Sequence, residues 1–386
     1  MKDFQYRMPT KIRFGVGISK NIADVCKEYG AKKVFVVTDS MIIKTNILDS
    51  VKESFEKANM PYEIYSDIVP DPAIEVVDST AEILRKSGAN LVVAVGGGSP
   101  IDAAKSICML QTNEGSVRDY LFGGSRTVTN PGMPLICVPT TAGSGSEMTA
   151  AAVITDNQNQ IKLSVTHDYI IPRVALIDPL LHVGMPGFIT ATTGIDALTH
   201  AIEAYVSLNA SPVSDAMALQ AMRMIGKHLR NAVANGNDIE ARSNMAIASS
   251  IAATAFFNGG LGVVHGIAQS MGGVAHVPHG VANSLILPYA MARNVVGNLE
   301  KFKEIAIALG ENVDGLSLRE AAEKAPKAVL KLAQDTRVPL KLKDVGVTRE
   351  HFPAIIEGTM AYRLLAVNPC KLQEKDITEI LESAYE

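Results

Sequence analysis

Runs of β-branched and aliphatic residues recur at strand length through the first half of the chain, at 34–38, 62–65, 91–95 and 135–138. Amphipathic or polar stretches with helical spacing separate them, at 42–57, 74–87 and 101–110. Apolar strands alternating with helices predict a parallel sheet covered on both faces. Further short strands are predicted at 152–155, 161–165 and 174–177. The pattern changes near residues 180–187, at Asp178-Pro179 and Met185-Pro186-Gly187. Beyond that point Ala-rich helical patterns take over, at 190–207, 214–234, 239–255 and 318–335. Ser317 and Glu320 have capping-box spacing before the last of these. The expected organisation is an α/β domain over 1–183 and an all-helical domain over 184–386. No Pro/Ser linker joins them, so a docked pair with a cleft is expected.

Two strand ends carry chemistry. After the strand at 91–95 comes Gly96-Gly97-Gly98-Ser99-Pro100-Ile101-Asp102. A strand, a glycine turn and a helix start present backbone N–H groups and a helix N-terminus to an anion. A plain tight turn explains one or two glycines, and the third favours phosphate. The run lacks the GxGxxG spacing and the lysine of a Walker loop. After the strand at 135–138 comes Pro139-Thr140-Thr141-Ala142-Gly143-Ser144-Gly145-Ser146-Glu147, whose small hydroxyl residues suit phosphate, ribose or amide contacts. Ligands of parallel sheets sit at the carboxyl edge, where both loops fall. Asp39 closes the first strand. It either accepts ribose hydroxyls or caps the turn that follows. Gly15-Val16-Gly17 reads as a turn.

The net charge of −4 argues against a nucleic-acid partner held through its phosphates, and no Lys/Arg block suggests a membrane patch. Cys26, Cys108, Cys137 and Cys370 are widely spaced, which is neither a disulfide framework nor a thiolate zinc site. A reduced cytoplasmic setting fits. Residues 1–13 show no signal-peptide core. The most apolar stretch, 246–257, is too short to span a bilayer and reads as a buried helix.

The second half supplies a candidate metal site. Asp196 and His200 stand four apart in Thr193-Gly-Ile-Asp-Ala-Leu-Thr-His-Ala-Ile-Glu203, which places them on one helix face. The pair alone is more often a hydrogen bond, but apolar Ile195, Leu198 and Ile202 surround it, and a buried carboxylate needs a partner. Downstream, His265, His276 and His279 crowd among glycines. Carboxylate and imidazole suit Fe²⁺ or Zn²⁺. Such an ion lowers the pKa of an alcohol hydroxyl and polarises an aldehyde carbonyl.

With these motifs in hand, the chain resembles the iron-containing (group III) alcohol dehydrogenases, whose fold is related to dehydroquinate synthase and glycerol dehydrogenase. The resemblance runs nearly the full length. It rests on residues 96–105, 139–149, 194–203 and 265–279. It implies an α/β dinucleotide-binding domain, an all-helical domain, and a metal held by Asp196, His200, His265 and His279. It implies that Gly97, Gly98 and Ser99 hold the pyrophosphate, and that Asp102, Thr140, Thr141, Thr149 and Lys162 lie near the cofactor. Asp71 falls near the adenosine, where relatives often carry Asn. Asp39 matches the acid that favours NAD over NADP. A homodimer or higher homo-oligomer is implied, paired through the N-terminal domain.

One departure stands out. Where many relatives have a histidine four residues after the third ligand, this chain has Gln269, which cannot titrate near neutral pH. His276 is a candidate substitute, although a backbone or supporting contact explains it better. The expected activity is NAD(H)-linked interconversion of a small primary alcohol or diol and its aldehyde. The alternative is a metal- and NAD-dependent lyase or cyclase, which needs basic groups for a phosphorylated substrate; Arg223, Lys227, Arg230 and Arg242 are the few on offer. A non-catalytic NAD-sensing module has no use for four metal ligands. Phe256 is placed to limit the substrate pocket or to pack the core.

Overall fold

The computed structural model describes residues 3–159 and 161–386. The first two positions of the N-terminal stretch read above lie outside them. The chain divides into two compact units, Met8–Thr141 with Gly145–His182, and Ala142–Ser144 with Val183–Glu386 and the residues leading to Arg7.

In the α/β unit the elements run β1 (Lys11–Phe14), α1 (Ile22–Glu28), β2 (Val34–Asp39), α2 (Asp49–Lys57), β3 (Tyr62–Ile68), α3 (Ile74–Ser87), β4 (Leu91–Gly96), α4 (Gly98–Met109), β5 (Leu135–Pro139), β6 (Ala151–Asp156), β7 (Ile161–Thr166) and β8 (Val174–Ile177). Six strands form one parallel sheet in the order β1-β8-β5-β4-β2-β3. Both faces are buried, and the period of two sorts the side chains between two cores. Phe35, Val37, Val92 and Ala94 join one; Val34, Val36, Leu91, Val93 and Val95 join the other. Strands β6 and β7 stand apart as an antiparallel pair.

Helix α4 is tied down by a buried amine. Lys105 is fully buried, and its Nζ donates to Ser146 Oγ at 2.7 Å, Thr149 Oγ1 at 3.0 Å and the Ala151 carbonyl at 2.7 Å. It also lies 3.4 Å from Asp102 Oδ1. Asp102 accepts from Ser146 Oγ on the same oxygen and from the Val153 N–H on the other. The network fixes the start of α4 against the loop that leads into β6.

Two expectations from the sequence need correction, and one strand goes unannounced by it. The predicted helix over 42–57 is two short 3₁₀ turns, Ile42–Lys44 and Asn46–Leu48, followed by α2. Thr45 is extended and accepts from the Ile47 N–H, which interrupts the helix. The predicted helix over 318–335 is α11 (Leu318–Ala322) and α12 (Lys324–Asp335). Pro326 has no N–H and crowds the carbonyl four residues back, at Ala322, where the helix breaks. The edge strand β1 was not anticipated, because four residues with a charged one at every second position carry little apolar signal.

The second unit is helical: α5 (Gly187–Val206), α6 (Pro212–Ala234), α7 (Ile239–Gly259), α8 (Val263–Ala275), α9 (His279–Asn294), α10 (Leu299–Ala308), α11, α12, α13 (Phe352–Met360) and α14 (Glu374–Tyr385). Helix α6 starts on a Ser211 cap with Pro212 in its first turn, and α7 starts on Asp238. The capping box of Ser317 and Glu320 is formed. Close approaches use glycine. A Cβ on Gly143 would meet Thr193 Cβ at 2.6 Å, and one on Gly259 would meet the Ala204 carbonyl at 3.0 Å. Among the described residues no single helix is long and apolar enough to cross a membrane. The apolar stretch 246–257 lies inside α7, with most of its residues buried in the helical core.

The Lys105 network generates a test. Lys105→Met leaves Asp102 without its cation and three acceptors without a donor. It is expected to lower stability by about 3 kcal/mol, read from urea unfolding monitored by circular dichroism.

Candidate metal centre and nucleotide loops

Helix α5 carries Asp196, His200 and Glu203 at i, i+4 and i+7, one face of the helix. Helix α8 brings His265 and the start of α9 brings His279. One oxygen of Asp196 is the hub. Its Oδ1 lies 3.8 Å from His200 Nε2, 3.9 Å from His265 Nε2 and 3.8 Å from His279 Nε2. The ligand atoms of Asp196, His265 and His279 all lie within 4.8 Å of one another. His200 joins this trio through Asp196 and by stacking on His265, with ring centroids 4.8 Å apart. Asp196, His200 and His265 are buried, while the His279 side chain is 47% exposed.

Two further residues, unremarked in the sequence, complete the cluster. Asn283, one turn along α9 from His279, is fully buried. Its Nδ2 lies 2.6 Å from Asp196 Oδ1, 3.0 Å from His279 Nε2 and 3.3 Å from His265 Nε2. Glu203 accepts from His265 Nδ1 at 2.6 Å and from the Val264 N–H at 2.7 Å. The available signals were their spacings: Glu203 sits seven residues from Asp196, and Asn283 four from His279.

The donor set fits a divalent cation. Burial pushes His200 down to about 3, against the pull of Asp196, so its ring is neutral at physiological pH. Burial opposes the charge on Asp196, but the surrounding rings and the Asn283 amide outweigh it and hold the carboxyl below its usual range. Two N–H bonds of Asn283 face three acceptors, so the centre holds more lone pairs than protons. Its own Oδ1 is buried without a hydrogen bond. The Gly143 backbone approaches His200 on the side that favours a proton, but Nδ1 forms no hydrogen bond of good geometry. The spacings are slightly wider than the ~3.4 Å expected of two donors about 2.1 Å from a tetrahedral ion.

His276 lies elsewhere in character. It ends α8 in the left-handed conformation, φ 55°, and is exposed. Gln269 is exposed on α8, one turn after His265. Phe256 packs on His200 with ring centroids 4.4 Å apart. Of the basic groups a phosphorylated substrate would use, Arg242 is buried and donates to Gly236, Met185 and Thr190 within its own unit. Arg230 pairs with Asp335 at 2.7 Å.

In the α/β unit Asp39, Gly97, Gly98, Ser99, Thr140 and Thr141 stand at the carboxyl ends of β2, β4 and β5. Gly97 precedes α4, and a Cβ there would meet Thr141 Oγ1 at 3.3 Å. The Thr140 N–H donates to the Gly96 carbonyl at 3.0 Å, so the loops after β4 and β5 run side by side. Gly97, Gly98 and Ser99 are part-exposed. Asp71, in the left-handed region with φ 57°, donates its N–H to Ser99 Oγ at 3.3 Å and pairs with Lys162 at 2.7 Å. Asp39 Oδ1 accepts the N–H groups of Met41 and Ile42, at 2.8 and 2.9 Å, so it does cap its turn. Its Oδ2 lies 3.5 Å from where a Gly96 Cβ would stand. Asp102 and Thr149 turn instead toward Lys105.

Family models agree along the chain. That for iron-containing alcohol dehydrogenase matches residues 9–179, and that for the C-terminal part of the Fe-containing alcohol dehydrogenase family matches 190–385. The chain belongs to the iron-containing alcohol dehydrogenase family. As a member it is an oxidoreductase, and its parallel-sheet and helical units are the family's fold. It is 41% identical to the 1,3-propanediol dehydrogenase of Citrobacter freundii, over 99% of both chains. It is 39% identical to the NAD-dependent methanol dehydrogenase of Bacillus methanolicus, over 98% of both. A solved structure of a 1,3-propanediol oxidoreductase matches with a TM-score of 0.96 at 39% identity, covering all of both chains.

The depressed His200 predicts a pH dependence. Below about 6.5 the unfolded chain binds a proton there that the folded chain refuses until about 3, so stability falls as pH drops through this window. The slope contributed is up to about 1.4 kcal/mol per pH unit. Urea unfolding of the metal-free protein at pH 6.5 and 5.0 checks it, with a shallower loss expected in His200→Asn.

Proposed function

We propose that this chain interconverts a short primary alcohol or diol and its aldehyde with NAD(H), using one divalent ion held by Asp196, His200, His265 and His279. The observation that carries this reading is the shared hub: three imidazole nitrogens at 3.8–3.9 Å around one carboxylate oxygen, mostly buried. Iron is the ion assigned, with zinc able to use the same donors. When bound, such an ion would supply Lewis acidity to an alcohol or carbonyl oxygen, and the nicotinamide would supply the acceptor or donor of hydride.

The chain's own residues do the rest. Asp196 stays ionised and the buried His200 ring stays neutral, so these two donors are ready without losing protons. Exposed His279 marks the side from which a small substrate approaches, and Phe256 against His200 restricts what fits. Gly97, Gly98 and Ser99 offer N–H groups at the start of α4 to the pyrophosphate. Asp39, with Oδ1 spent on its turn, keeps Oδ2 for a ribose hydroxyl and repels a 2′-phosphate. Asp102 and Thr149 act by holding the loops through Lys105, while Thr140, Thr141, Asp71 and Lys162 line the edge. His276, exposed at the end of α8, is the chain's candidate for carrying a proton where Gln269 has none to give. Relatives named for 1,3-propanediol and methanol support short alcohols and diols as the substrate class. The four unpaired cysteines support a reduced, cytoplasmic setting. A homodimer paired through the α/β unit is part of the same reading.

Purified protein reconstituted with Fe²⁺ is expected to oxidise NADH with short aldehydes and to hold one metal per chain by elemental analysis. Absence of both metal and turnover across an aldehyde panel sinks the proposal. Asp39→Gly is expected to raise the NADPH-to-NADH ratio of kcat/KM about tenfold, the effect of removing one repulsive contact of roughly 1.4 kcal/mol. An unchanged ratio removes Asp39 from cofactor choice.

A further inference from the structure

Glu203 is a buried carboxylate that the mechanism above does not use. It lies on the same face of α5 as Asp196 and His200, and both its oxygens are engaged. Oε2 accepts from His265 Nδ1 at 2.6 Å, and Oε1 accepts from the Val264 N–H at 2.7 Å, in the first turn of α8. The approach is bought with glycine. A Cβ on Gly262 would stand 3.0 Å from Glu203 Oε1 and 2.9 Å from Asn368 Oδ1. Asn368 Oδ1 in turn accepts from the Val263 N–H at 3.3 Å. The entry of α8 is therefore threaded onto one carboxylate and one amide.

The geometry decides which nitrogen of His265 carries the proton. A carboxylate accepts only, so Nδ1 must be the N–H and Nε2 the lone pair. The other end of the ring agrees: Nε2 faces the Asn283 amide nitrogen, a donor, at 3.3 Å. We propose that Glu203 is a positioning residue that locks His265 in the Nδ1–H form and aims its Nε2 lone pair at the metal. The inference rests on the metal reading above. A carboxylate behind a ligating imidazole typically contributes 10- to 100-fold in metal affinity.

Glu203→Gln keeps the shape and reverses half the chemistry. Its amide has one acceptor oxygen and one NH₂ for two N–H partners. When the NH₂ faces His265, the ring is driven to the Nε2–H form, which cannot ligate through Nε2. The test is competition for Zn²⁺ against a chromogenic chelator, run on wild type and Glu203→Gln, with melting of both metal-free proteins alongside. The variant is expected to bind about 10- to 100-fold more weakly. Equal affinities, with or without a change in melting, leave Glu203 as a cap of α8 alone and overturn the proposal. Wild-type protein that binds no Zn²⁺ overturns the metal reading itself, a different result.

A second measurement reads the tautomer in the wild-type protein itself. Long-range ¹H–¹⁵N spectra of metal-free, histidine-labelled wild type report the tautomer of each ring, with His265 assigned by loss of its signals in His265→Asn. His265 as the Nδ1–H form is expected. The Nε2–H form contradicts the proposal whatever the affinities.

Discussion

The helical unit depends on how one carboxylate is buried. An ionised Asp196 away from water costs several kcal/mol unless neighbours compensate. Here the compensation is geometric, with three ring nitrogens and an amide converging on a single oxygen from α5, α8 and α9. Much of the surrounding packing serves that convergence. Gly143 lets the backbone reach α5, and Gly259 lets the end of α7 close on Ala204, so that α8 enters at the right height. A cluster so rich in lone pairs is poorly satisfied by protein donors alone. That shortage of protons is the physical argument for a cation.

The α/β unit solves a different problem with an opposite charge. A lysine without solvent is as costly as an aspartate, and Lys105 is satisfied by three oxygens and a nearby carboxylate. The result is a buried polar anchor between the start of α4 and the loop that leads into β6. Precision at the glycine-rich turn comes from the buried polar network beneath it, because glycines have no side chains to lock.

How much of this was legible follows from the kind of signal each element carries. The strand at Leu91–Gly96 and the turn after it were plain, because a fully buried parallel strand is continuously apolar and the glycines cluster. Asp196, His200, His265 and His279 were found as residue types able to hold a metal, aided by family resemblance. Glu203 and Asn283 were not, although they stand at helical spacing from ligands. A glutamate and an asparagine among helical residues look like solvated positions until tertiary packing closes over them. Asp102 and Thr149 were placed near the cofactor by their motif, yet their polar atoms are turned to Lys105. Sequence position tells which loop or helix a side chain stands on, but not the direction in which it turns. The helix over 42–57 failed on Thr45, whose extended backbone outweighs a helical pattern, and 318–335 failed on Pro326.

The order of assembly follows from the distance along the chain between the cluster's parts. Glu203 and His265 are 62 positions apart, and Asp196 and Asn283 are 87 apart. The hub therefore joins residues from helices that are distant in sequence. The centre is complete only when α5, α8 and α9 have packed together, with His279 as its most exposed member. The cluster is thus a product of tertiary packing, finished no sooner than the helical unit that carries it.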